Sequence, residues 1–190
     1  GRLAWNYELN SDQIAEEWLR MTYTNKDPFV AKAKQLMMQS RDIYVQFTNP
    51  IGLHHIMGTG HHYGPAPWVN NLNRPEWNPV YYHKADSMGI GFNRTTTGSN
   101  AIAQYFPEAR KLWEDLSTCE EKNLLWFHHV SWNYKMRSSR TLWEELCYHY
   151  YTGTERVKAM HLQWTALKPF VDKERYEQVS QLLRIQYEEA

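Results

Sequence analysis

No charge surplus of either sign marks this sequence: 21 lysines and arginines balance 21 aspartates and glutamates over 190 residues. Phosphate-dominated nucleic-acid binding goes with a basic excess, so composition argues against it. No apolar run approaches the ~18 residues of a membrane span, and no secretory hydrophobic region is present. Cysteine is scarce, with Cys119 and Cys147 far apart. Two cysteines do not make a disulfide framework, and free thiols are expected. A phosphate-cradling glycine loop, a C-x-x-C pair, internal repeats and low-complexity tracts are also missing. Without alternating strand patterns, a sheet-based fold is excluded and the fold class reads as all-α. The compartment is not legible, and the cytoplasm is the default expectation.

What is plentiful is aromatic: 9 Trp and 13 Tyr beside 9 His. Indole and phenol combine a large apolar face with a polar handle, which suits wet interfaces and sugar sites as well as cores. The length fits one domain, 1–190, with a substantial core. The opening Gly1-Arg2-Leu3-Ala4-Trp5 reads as text from the interior of a longer protein.

Helical periodicity predicts helices over about 11–24, 27–47, 100–116, 119–129, 140–151, 154–168 and 172–189. Ser11 can cap the first, with Ile14, Trp18 and Met21 on one face. Asp27-Pro28 starts the second, whose expected buried stripe is Phe29, Ala33, Leu36, Met37, Ser40, Tyr44 and Phe47. The third is read as interrupted near Pro107. Thr118-x-x-Glu121 and Thr141-x-x-Glu144 both match a capping box. Gly153 sits where a C-cap glycine ends a helix, and Asp172 caps the last one.

Between Phe47 and Asn100 the periodicity vanishes. The region of about 48–99 holds most of the glycines and prolines and five of the nine histidines. A long loop in a compact domain is usually functional, and its Trp68, Trp77, Tyr81, Tyr82 and Phe92 argue against a disordered linker. An ordered functional loop is expected.

Several constellations in and after this loop could carry chemistry. His54-His55 and His61-His62, within Leu53 to Pro65, invite a zinc reading. Their spacing is not the i, i+4 pair of a zinc helix, and no carboxylate or cysteine lies nearby in sequence, so no metal is assigned. Imidazoles that donate and accept suit sugar hydroxyls or loop carbonyls, and plain structural packing is the alternative. In Tyr63-Gly64-Pro65-Ala66-Pro67-Trp68 two prolines stiffen the stem of an indole. An indole face covers the C–H face of a sugar without desolvating its hydroxyls; the competing reading makes Trp68 a core residue. Lys84 and Arg94 are candidate anion contacts, because a guanidinium suits a carboxylate bidentately. Tyr82, His83 and Asp86 mimic a proton relay but lack a nucleophile; solvated loop charges are the plainer reading of Lys84 and Asp86. Trp126 to Met136 forms a further polar-aromatic surface.

Glycosidic cleavage usually needs two carboxyl groups across the bond, and the loop offers just Glu76 and Asp86. Read by itself, the chain is a binding or scaffolding domain with no catalytic residue. The candidate substrate contacts are Trp68, Tyr63, His61, His62, Arg94 and Lys84.

Separate blocks also agree, in order and nearly end to end, with one family. They run from Gly1-Arg2-Leu3-Ala4-Trp5 through Leu53-His54-His55, His61-His62-Tyr63-Gly64-Pro65 and Gly89-Ile90-Gly91-Phe92. Gly98-Ser99-Asn100-Ala101, Leu124-Leu125-Trp126-Phe127-His128-His129-Val130 and Arg140 to Tyr148 continue the series. The chain resembles the C-terminal domain of bacterial α-glucuronidases, glycoside hydrolase family 67. The resemblance implies a helical accessory domain separated from a (β/α)8 barrel that bears the catalytic carboxylates. Such enzymes remove (4-O-methyl-)glucuronic acid from xylo-oligosaccharides in xylan degradation, with inversion and without a cofactor. It further implies that the domain packs on the barrel, joins two subunits as a homodimer and lends an aromatic, in the position of Trp68, to the active-site wall. The family pattern continues beyond Ala190. A stand-alone carbohydrate-binding module is the alternative, and a metal-dependent enzyme using the His pairs is a third reading.

Overall fold

A computed structural model describes every residue of the chain except His55 and His61. The described residues are mainly helical, as the all-α reading expects, with one two-stranded sheet. The chain divides into two compact units, residues 1–44 with 153–190 and residues 45–152. The boundaries fall inside two long helices, α3 (Asp27–Thr48) and α7 (Leu142–Thr165).

The first unit contains α1 (Arg2–Trp5), α2 (Ser11–Thr22), the start of α3, the end of α7 and α8 (Lys173–Glu189). Asn10, not Ser11, caps α2: its side chain accepts from the Gln13 N–H at 2.9 Å, and the Gln13 side chain accepts from the Asn10 N–H at 3.1 Å. The cap falls there because Asn10 has the extended backbone that aims its carbonyl group back at the first turn. The buried face of α2 is Ala15 and Leu19, whereas Trp18 and Met21 stay exposed. In α3, Val30 and Ile43 join Phe29, Ala33, Leu36 and Phe47 in the interior, while Met37 turns outward. Trp164 of α7 is buried, stacks on Tyr176 of α8 at 6.0 Å and donates its Nε1–H to the Ser180 hydroxyl at 3.1 Å. Asp172 caps α8 as expected, accepting from the Arg175 N–H at 3.0 Å.

Gly153 does not end a helix; α7 continues through it to Thr165. A mid-helix glycine costs about 1 kcal/mol relative to alanine. Burial of Val157, Met160 and Trp164 on the same stripe exceeds that cost.

The second unit is built on Ile51, Leu53, Ile56, Ile90, Ile102, Leu124, Leu125, Phe127, Val130, Leu142 and Leu146. Four of these come from the aperiodic loop region, so that region is folded into the core. It carries 3-10 turns at Pro50–Gly52 and Pro75–Trp77, α4 (Pro79–His83) and β1 (Gly89–Ile90). β1 pairs antiparallel with β2 (Val130–Ser131) in the register Gly89 with Ser131 and Ile90 with Val130. Gly89 and Gly91 allow this approach, since a Cβ would lie 2.0 Å from the Val130 carbonyl oxygen and 2.1 Å from that of His128 respectively.

Two of the expected helices are shorter. A 3-10 turn, Ala101–Gln104, precedes α5 (Pro107–Glu114), because Pro107 lacks an N–H and can begin a helix but not sit inside one. The segment after Thr118 holds a 3-10 turn, Glu121–Asn123, and α6 (Leu124–Phe127). Thr118 caps nothing there: its hydroxyl donates back to the carbonyls of Lys111, Leu112 and Asp115. Glu121 accepts from the Arg137 N–H at 2.8 Å. The box of Thr141 and Glu144 does form, with the Thr141 N–H on the carboxylate at 2.7 Å and the Glu144 N–H on the hydroxyl at 3.2 Å. Both cysteines are free, and burial pushes the Cys119 thiol up to about 11.

Candidate functional site

The loop leading to Trp68 is pinched at its base. The Ala66 N–H donates to the Ile56 carbonyl at 2.6 Å, and the Gly58 N–H to the Gly64 carbonyl at 2.7 Å. His62 and Tyr63 lie on this loop; His61 is outside the described residues. Pro65 and Pro67 then restrict the backbone on either side of buried Ala66. The indole of Trp68 is 72% exposed and does not fill the core.

Trp68 stands on a cleft of about 400 Å³ together with Pro67, His83, Trp132, Trp143, Cys147 and Tyr150. Trp132 and Trp143 meet edge to face at 5.6 Å. The Trp132 Nε1–H donates to the Asp86 carbonyl at 2.8 Å, which fixes that ring against the turn before β1. Burial pushes the Tyr150 phenol up to about 12, so it stays protonated, and its hydroxyl reaches the Thr48 carbonyl at 3.4 Å. No carboxylate lines this cleft among the described residues. Its chemistry is that of an aromatic surface with edge polar groups, able to hold a ligand by apolar faces but not to cleave a glycosidic bond.

The other predicted contacts gather in a second cluster. Arg94 is buried, its guanidinium carbon 3.7 Å from the Trp126 ring and 4.4 Å from the Phe92 ring. One N–H donates to the Trp126 carbonyl at 2.6 Å. Burial lowers the pKa of this group. Lys84, at the left-handed C-cap of α4, holds its Nζ 4.6 Å from the Tyr81 ring and 5.7 Å from that of Phe92. The structure therefore brings Lys84 and Arg94 to the same phenyl ring, but neither lines the cleft of Trp68. Tyr82 stacks on Trp126 at 6.5 Å, and His54 meets Trp126 edge-on at 5.0 Å.

The relay suggested by Tyr82, His83 and Asp86 is not assembled. His83 bonds to backbone on both ring nitrogens. Asp86 accepts from the Met88 and Gly89 N–H groups at 2.8 and 2.9 Å, which hold its carboxyl below the usual range, and its other oxygen lies 3.2 Å from His129 Nε2. Glu76 lies on the exposed surface, 3.9 Å from Arg74. Among the described residues no three of His, Cys, Asp and Glu are grouped to hold a metal ion.

Sequence reasoning missed Trp143, Leu146, Cys147 and Tyr150, all from the start of α7. Their i, i+4 spacings were visible, but periodicity does not say what a helix face meets. It also missed Glu145, which is buried and accepts from the Ser138 hydroxyl and, at 3.1 Å, from Arg140.

The profile of the family described as "Glycosyl hydrolase family 67 C-terminus" matches residues 1–190. Alpha-glucuronidase A of Aspergillus tubingensis is 32% identical over 179 residues, covering 93% of this chain and 21% of the relative. The probable alpha-glucuronidase A of Aspergillus fumigatus is 32% identical over 190 residues, covering 99% of this chain and 22% of the relative. Alpha-glucuronidase A of Emericella nidulans is 30% identical over 193 residues, again 99% and 22%. These relatives are fungal, where the sequence resemblance pointed to bacterial enzymes. The chain spans about a fifth of the length of the curated relatives it matches.

Proposed function

The chain belongs to glycosyl hydrolase family 67, as its C-terminal part, and from that premise we propose that it serves an α-glucuronidase as an accessory domain. The reaction is removal of (4-O-methyl-)glucuronic acid from xylo-oligosaccharides by a hydrolysis that requires no cofactor. The catalytic carboxylates belong to a (β/α)8 barrel elsewhere in the parent protein. This domain supplies part of the substrate wall through Trp68, with His61, His62 and Tyr63 on the adjoining loop as further contacts. Lys84 and Arg94, apart from the cleft of Trp68, hold the separate aromatic cluster of Tyr81, Phe92 and Trp126. The domain also joins two parent subunits.

The observation that carries the reading is the exposed indole of Trp68 on an aromatic cleft whose described lining holds no carboxylate. Such a surface orients a sugar ring and cannot protonate a leaving group. The test is release of glucuronic acid from an aldouronic oligosaccharide. The 190-residue chain is expected to give none, and the intact enzyme to give turnover. Trp68→Ala in the intact enzyme should lower kcat/KM on the order of tenfold to a hundredfold. Turnover by the chain itself would overturn the accessory role. Unchanged kcat/KM in the variant would remove Trp68 from the wall. Light scattering of intact enzyme tests the dimer, and a monomeric mass would dismiss it.

A further inference from the structure

The first turns of α7 carry a second, shallower groove that adjoins the cleft of Trp68. Its volume is about 670 Å³, and it shares Trp143 and Cys147 with the cleft. Beyond that shared wall the groove continues to Tyr148 and Tyr151. Trp143 is 59% exposed and Tyr151 73% exposed, an expensive display of aromatic surface for a helix that has a core to cover. The two lie eight residues apart, so their separation along the helix axis is about 12 Å, enough to underlie more than one sugar ring.

Two cations, Arg140 and Lys135, edge the groove, and Arg140 is also paired with the buried Glu145 at 3.1 Å. Arg140 lies with its guanidinium carbon 3.9 Å from the Tyr148 ring centroid, and Lys135 donates to the Ser139 carbonyl at 3.4 Å. The acid on the same rim, Glu144, is turned to the helix start, where Thr141 donates to it through both N–H and hydroxyl. Exposed aromatic rings along one groove, edged by two cations and open to solvent, complement a sugar chain that bears a carboxylate.

We propose that Trp143, Tyr148 and Tyr151 extend the cleft of Trp68 into a track for the backbone of an acidic xylo-oligosaccharide, with Arg140 and Lys135 facing its uronate substituents. This rests on the proposed function for the class of sugar, and on the continuity of the two grooves for its path. The track makes longer decorated chains bind better than short ones, and makes that preference salt-sensitive.

The test is titration of the full 190-residue chain, followed by tryptophan fluorescence, with neutral xylotetraose, with the same chain carrying one glucuronic acid, and with a longer decorated chain. Saturable binding is expected, tightest for the longest decorated ligand. Tyr151→Ala and Trp143→Ala should each weaken it by about tenfold. Tyr151→Phe, which keeps the ring, should bind like the parent, and it serves if an alanine variant fails to fold. Absence of binding, or binding indifferent to both alanine variants, overturns the track. So does a dimer of the chain that Tyr151→Ala converts to monomer, since the face would then belong to a second copy. Glucuronic acid release by the intact enzyme is measured in parallel: retained release with no binding on α7 removes the track alone, whereas absent release removes the proposed function.

Discussion

His83 Nε2 lies 3.1 Å from the Pro67 carbonyl oxygen while its Nδ1 accepts the Ala85 N–H at 3.2 Å, so the imidazole joins α4 to the stem of Trp68. A carbonyl can only accept, so Nε2 carries the proton and Nδ1 is bare. Protonating Nδ1 would set two donors against each other. Burial is the main reason the pKa of His83 is lowered.

Stability should therefore fall on mild acidification. His83, His128 and His149 all have lowered pKa values, with burial the first cause in each. Just below the ordinary value near 6.5, the unfolded chain binds more protons than the folded one. Their contribution is complete above that value and is lost as pH falls through the depressed folded values. A urea midpoint measured at pH 7.5 and 5.5 should be lower at 5.5. His83→Gln, whose amide can donate and accept at the same two places, should flatten part of the slope. A midpoint constant between the two pH values would mean the three rings are not held neutral.

Trp68→Ala should leave stability within about 0.5 kcal/mol of the parent, because the indole is largely in solvent. A core tryptophan would instead cost about 3–5 kcal/mol. Thermal melting of the chain distinguishes the two directly.

Arg94→Met should destabilise by about 2–4 kcal/mol, since it leaves the Trp126 carbonyl without its donor and removes a planar cation from between two aromatic rings. Arg94→Lys should recover little, because an ammonium cannot lie flat on the Trp126 ring. Urea denaturation reports both. Wild-type stability in either variant would move Arg94 from a structural position to a ligand contact.

Gly91→Ala should be among the most damaging substitutions of the second unit. Its φ of +106° lies where side chains are strained, and a Cβ would meet the His128 carbonyl oxygen. The cost is on the order of 3 kcal/mol. Circular dichroism during denaturant titration measures it. A neutral result would show that the backbone near β1 relaxes.

Local signals were readable where one segment supplies both partners. The Thr141–Glu144 box and the Asp172 cap follow from side chains acting within a single turn, so spacing suffices to find them. The start of α3 was placed to within a residue by Pro28, although Asp27, read as its cap, lies inside the helix and accepts from Arg20 instead. The same logic misplaced the cap at Ser11, one residue from Asn10, and read Thr118 as a cap when its hydroxyl closes the preceding helix. Both errors concern which neighbour a short polar side chain chooses, and that depends on backbone direction. Gly153 failed differently: a local preference of about 1 kcal/mol yielded to burial of residues further along the helix.

Residue identity alone determined the helical class, the position of the aperiodic loop and the family, because each rests on composition, period or ordered blocks of text. Tertiary structure alone decided what the loop does with its residues. Trp68 stays in solvent because the pinched stem carries it past the core. Arg94 is drawn inside because Trp126, 32 residues later, offers both a ring and a carbonyl. The far wall of the cleft comes from α7, where Trp143, Leu146, Cys147 and Tyr150 follow one another at helical spacing that does not say which surface they meet. Packing across such distances in the chain is set by which faces bury one another, and no spacing rule along a single segment encodes that choice.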